Sequence, residues 1–158
     1  MKMKIILGMA LSLAFILTGC KSTSIGVKEG TGTLRYDGNS YSLNMSTIAT
    51  SPMNNGRYEH FIIFDNTGTG NLFSMNIVDN VPENTITPGT YKIELSGDYV
   101  ARFVVKGKNG DAVTGTMVVT KTNKSHHFSF SGTTADENTE IKTVTLSYEG
   151  ELNSKGND

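Results

Sequence analysis

From Thr31 onward no stretch keeps a 3.6-residue apolar period for three turns, whereas strict alternation of apolar and polar residues returns again and again between glycine- and asparagine-rich breaks. A chain patterned in this way has no long amphipathic helix with which to cover a sheet or to cross between parallel neighbours. It must bury one face of each strand against other strands. Residues 31–36 and 41–49 flank Asp37-Gly38-Asn39-Ser40, and Asp-Gly between alternating runs is a strong hairpin signal. Residues 57–65 are apolar on both faces around Phe61, Ile62, Ile63 and Phe64, which predicts a strand central in its sheet.

Further strands are predicted over 71–78, with Phe73, Met75 and Ile77 on one face, and around Tyr91, Ile93 and Leu95. Ser96-Gly97-Asp98 is read as a turn back into Tyr99, Ala101, Phe103 and Val105, and Asn109-Gly110 in 106–110 as another hairpin. Val113, Gly115, Met117 and Val119 face inward on the next strand. The last pair covers 125–131, with His126, Phe128 and Phe130 on one face, and 141–152, with Val144, Leu146, Tyr148 and Leu152 aligned. The acidic loop 136–140 joins them, and the tail 153–158 is expected to fray. Strands at spacings near ten residues without crossovers predict an all-β fold, a single antiparallel β-sandwich or a meandering calycin-like β-barrel of about eight to nine strands.

The N-terminus carries the one specific motif. Lys2 and Lys4 precede a thirteen-residue apolar stretch, 5–17, whose helix would rise only about 20 Å against a hydrocarbon core of about 30 Å. It reads as a signal-peptide h-region rather than a permanent span. Leu17-Thr18-Gly19-Cys20 follows it and resembles the bacterial lipobox, in which a thiol takes a diacylglyceryl group and small residues on its N-terminal side admit a signal peptidase. Two or three acyl chains hold a protein on a membrane, whereas one is marginal. The chain accordingly divides into a signal peptide, 1–19; a lipidated N-terminus and flexible tether, 20–30; an all-β domain, 31–152; and the tail. Removing 1–19 leaves about 140 residues, enough for one self-sufficient core.

The lipobox, the Pro88-Gly89-Thr90-Tyr91 strand opening, the glycine-punctuated hairpins and the closing Leu146-Ser147-Tyr148-Glu149-Gly150-Glu151-Leu152 resemble the short β-rich envelope lipoproteins of Bacteroidetes. Some of these have calycin-like barrels and others sandwiches, and many have no assigned activity. The resemblance implies lipidation of Cys20 and nothing about any other residue. No acidic residue follows Cys20 in Lys21-Ser22-Thr23-Ser24, which favours an outer-membrane anchor facing the periplasm.

G-x-S-x-G, S-x-x-K and H-E-x-x-H are absent, so no catalytic residue is assigned and the chain is read as no enzyme. No cofactor is expected: Arg35 and Phe73 stand where the third glycine of G-x-G-x-x-G would follow Gly30-Thr31-Gly32 and Gly68-Thr69-Gly70. No metal is expected either. Residues 65–71 offer Thr67 and Thr69 where a calcium loop wants Asp or Asn, with Asn76 in place of the closing Glu, and read as a hairpin turn. His126 and His127 point to opposite faces, His126 as a core or rim histidine with a hydrogen-bond partner and His127 toward solvent beside Ser129 and Ser131. His60 falls with Tyr58 and Ile62 and is given a structural role. The formal charge is −1 and becomes more negative when Lys2 and Lys4 leave, with no basic stripe, so nucleic acid is not expected. Arg57, Arg102, Lys92 and Lys106 are read as solvated strand residues.

These observations point to a lipid-anchored, non-enzymatic envelope lipoprotein that binds an envelope protein or a small ligand near the membrane. The alternatives are a calycin-like small-molecule carrier with a cavity lined by Phe61, Phe103, Met117 and Phe130 and, less favoured, an inhibitor or hydrolase acting through the loop 81–87.

Overall fold

The computed structural model describes residues 29–66, 69–105, 111–135 and 141–154. The leader with Cys20 and most of the tether, Thr67 and Gly68, the loops 106–110 and 136–140, and the final residues 155–158 lie outside the described residues. What is described is all-β: β1 (Glu29–Tyr36), β2 (Asn39–Pro52), β3 (Tyr58–Asn66), β4 (Asn71–Asp79), β5 (Gly89–Ile93), β6 (Tyr99–Val104), β7 (Asp111–Thr122), β8 (Ser125–Ala135), β9 (Ile141–Gly150) and β10 (Asn153–Ser154). Neighbours run β1-β9-β8-β7-β6-β4-β3-β2, and β2 pairs back onto β1. The sheet therefore closes on itself as an eight-stranded antiparallel, calycin-like barrel, and the sandwich alternative falls. Closure removes the exposed edges an open sheet of this width would carry.

Asp37 and Gly38 both take positive φ, 52° and 75°, as a two-residue hairpin with matching twist requires. Ser96-Gly97-Asp98, by contrast, is no hairpin. β5 and β6 lie along the same edge of β7, with Ile93 opposite Gly115 and Ala101 opposite Val113. They are one barrel strand interrupted by an extruded loop, 94–98, which is closed by the Glu94 N–H donating to the Tyr99 carbonyl at 2.9 Å. Arg57 is not a solvated strand residue but pins this loop. Its guanidinium donates to both Asp98 carboxylate oxygens, at 3.1 and 2.8 Å, and to the Val78 carbonyl at 2.9 Å.

The end of the chain also departs from expectation. The last long strand stops at Gly150, and Asn153 and Ser154 add a short parallel segment beside Thr47 and Ile48, where β2 runs past the start of β1. The Asn153 side-chain amide donates to the Ser46 carbonyl at 2.8 Å, so the first two residues of the tail belong to the sheet.

Alternation decides what fills the barrel. Inward positions supply Phe64, Phe73, Phe103, Phe128, Phe130 and Tyr148, all essentially without solvent exposure. Rings from diametrically opposite strands meet: Tyr36 of β1 and Phe103 of β6 at 4.7 Å between centroids, and Phe64 of β3 and Phe128 of β8 at 4.8 Å. Glycines make room for these rings. A side chain at Gly32 would collide with Tyr148 at 2.7 Å, and one at Gly132 would meet the Thr114 carbonyl at 2.1 Å and the Phe130 ring at 2.5 Å. Gly132 faces Gly115 across β7 and β8, at the level where β7 changes neighbour from β5 to β6.

Candidate functional site

Two places combine polar chemistry with defined geometry. The first lies inside the barrel, at the end where β1 begins, under the loop 80–88. His60 on β3 is fully buried, and its Nε2 lies 2.8 Å from Asp79 Oδ1 at the end of β4. Its Nδ1 lies 2.9 Å from Thr50 Oγ1 on β2. The register Thr50↔His60 across β2 and β3 brings the first pair together, and Asp79 follows Ile77, the residue opposite His60 on β4.

The loop is tied to this cluster from below. The Val81 N–H donates to Asp79 Oδ1 at 2.7 Å, Thr50 Oγ1 lies 3.4 Å from the Glu83 carbonyl, and the Tyr91 hydroxyl donates to the Thr87 carbonyl. Ile86, in the loop itself, is buried in the core. Burial, with the Asp79 carboxylate and Tyr99 adding to it, pushes the Tyr91 phenol up to about 12, so it remains a donor at any physiological pH. Hydroxyl, imidazole and carboxylate stand here in the order of an activated nucleophile. The hydroxyl lies between the imidazole and the loop carbonyl, within reach of both, and so links β2 to the loop.

The second place is the outer wall of β1, β9 and β8. Cross-strand register aligns polar side chains in rows: Thr31, Glu149 and His127; Thr33, Ser147 and Ser129; Arg35, Thr145 and Ser131. Two shallow clefts of about 270 and 390 Å³ share Thr33 and Ser147, the first reaching His127 and Glu149 and the second Arg35 and Ser131. His127 is exposed in this wall, on the side of Ser129 and Ser131 as its position in the strand requires.

His126 is buried, but among the described residues neither ring nitrogen has a hydrogen-bond partner, contrary to expectation. Burial, with the Lys121 charge as a lesser cause, pulls its imidazole below the ordinary value. The residues expected to line a carrier cavity are divided. Phe103, Met117 and Phe130 face inward and are buried, while Phe61 points outward and is 41% exposed. In the turn after β3 the polar groups satisfy one another, with the Asn71 side-chain amide donating to Thr69 Oγ1 at 2.8 Å and the Thr69 N–H to the Asn66 carbonyl at 3.0 Å. Among the described residues no group of three His, Cys, Asp or Glu is placed to hold a metal ion.

The hydroxyl wall and the Thr50–His60–Asp79 cluster were both missed by motif reasoning. The signal available for the first was the alternating Ser and Thr of three strands, read together. Comparison with protein-family models, curated proteins and solved structures gives no match to this chain.

Proposed function

We propose that this chain is a lipid-anchored, non-enzymatic lipoprotein of a bacterial envelope, held by Cys20 on the periplasmic face of the outer membrane, and that its barrel binds a partner through the outer wall of β1, β9 and β8. The anchor half rests on the complete leader and the lipobox resemblance. The binding half rests on one observation above all: aromatic rings from opposite walls meet in the interior, which takes away the space a carried ligand would need at those levels. The clefts, in contrast, lie outside, among hydroxyls flanked by Arg35 at one end and by His127 and Glu149 at the other. Such a wall offers donors and acceptors in register and suits a polar partner surface better than an apolar one.

The experiment is site-specific photocrosslinking in intact envelopes. A probe at Ser147 is expected to give a discrete adduct, and a probe at Phe61 on the opposite wall none. Adducts from Phe61 alone, or none from either position alongside turnover of a substrate, overturn the reading.

A further inference from the structure

We infer that His60 is a pH-sensitive latch that fastens the loop 80–88 over one end of the barrel more tightly in acid. The inference stands on proton counting at Thr50, independently of any partner. Thr50 has one hydroxyl proton and two acceptors within reach, His60 Nδ1 at 2.9 Å and the Glu83 carbonyl at 3.4 Å. When the ring is neutral, its single N–H must face the Asp79 carboxylate from Nε2, because two acceptors would otherwise oppose each other. Nδ1 is then bare and takes the Thr50 proton, leaving the Glu83 carbonyl without it.

Protonation from solvent places a second N–H on Nδ1. That N–H donates to the Thr50 oxygen, and the hydroxyl rotates to give its own proton to the Glu83 carbonyl. The same heavy-atom positions serve both states, but acid adds one hydrogen bond between wall and loop. It also turns the Asp79 contact into an ion pair, and Asp79 already holds the loop through the Val81 N–H.

The groups around the ring support this direction. Asp79 faces it from β4 and Thr50 from β2, while Tyr58 stands in register with Asp79 on β3. Tyr91 on β5 and Arg57 before β3 both feel the Asp79 charge, and Tyr99 on β6 packs edge-on against Tyr91 at 5.3 Å. Arg57 is the one cation of this set and is already neutralised by Asp98 at 2.8 Å.

The test is amide hydrogen exchange of the mature chain between about pH 5 and 8, with rates corrected for their intrinsic pH dependence. Protection at Val81 and Thr85 is expected to rise about five- to tenfold on acidification, the worth of one added hydrogen bond. Thr50→Val keeps the ring and its Asp79 contact but has no proton to hand on, so its rise should be clearly smaller than that of the parent protein. Thr50→Ser should keep the rise. Flat protection in the parent protein, protection that falls in acid, an undiminished rise in Thr50→Val, or no rise in Thr50→Ser each overturns the latch.

Discussion

Replacing His126 with leucine is expected to stabilise the protein, and to do so more at low pH than at high. His126 is 4% exposed, and neither of its ring nitrogens has a partner among the described residues. Leaving a polar group buried and unpaired costs roughly 1–3 kcal/mol, a cost that an apolar side chain of similar size does not incur. At pH 7.5 the variant should therefore gain about 1 kcal/mol or more after small packing losses. The pH dependence follows from the direction of the shift. Burial holds the folded imidazole below its ordinary value of 6.5. Between that value and the lowered one the unfolded chain binds the proton and the folded chain does not. Stability of the parent protein thus falls as pH drops through this window, by at most about 1.4 kcal/mol per pH unit for one proton. The variant lacks this loss. Urea unfolding of both proteins at pH 7.5 and 5.5 measures it. A variant that is less stable at both pH values, with an unchanged gap between them, would refute the reasoning.

Other perturbations test the packing and the clamps. Phe64→Ala removes a fully buried ring that touches Phe128 at 4.8 Å and Tyr148 at 5.0 Å, and should cost about 3–5 kcal/mol by denaturant unfolding. Gly132→Ala drives a methyl to within 2.1 Å of the Thr114 backbone carbonyl, and should cost about 1–3 kcal/mol and shift the β7 and β8 amide resonances. Asp98→Asn breaks the two-pronged Arg57 contact, so exchange of the Val78 amide, which donates to the Asp98 carbonyl at 3.0 Å, should quicken while the global unfolding midpoint barely moves. Because Arg57 holds the Asp98 carboxyl below its usual range, this clamp is present above the ordinary carboxyl value and is lost only as pH falls through the lowered one.

Much of the barrel was legible because the information was local. Alternation in 113–119 and 125–131 assigned inward and outward residues correctly, and Asp37-Gly38 named its own turn. What escaped was long-range. Choosing barrel over sandwich required β1 to pair with both β9 and β2, a contact between chain ends that no local pattern encodes. Ser96-Gly97-Asp98 has turn composition, and composition alone does not distinguish a chain reversal from an excursion that returns to the same edge. Phe61 was misplaced because the run His60 to Phe64 is apolar at almost every position, so its parity was ambiguous. The polar His60 proved to be the inward residue. Its partners could not be read either, since Thr50 and Asp79 reach it only through the register of β2, β3 and β4.

Whether Cys20 carries fatty chains is decided by the intact mass of the protein purified from its native membrane. A mature chain beginning at Cys20, heavier than its sequence by a diacylglyceryl group and an N-acyl chain, is the expected result. A free thiol at position 20, or residues 1–19 still attached in a freely diffusing product, would contradict it.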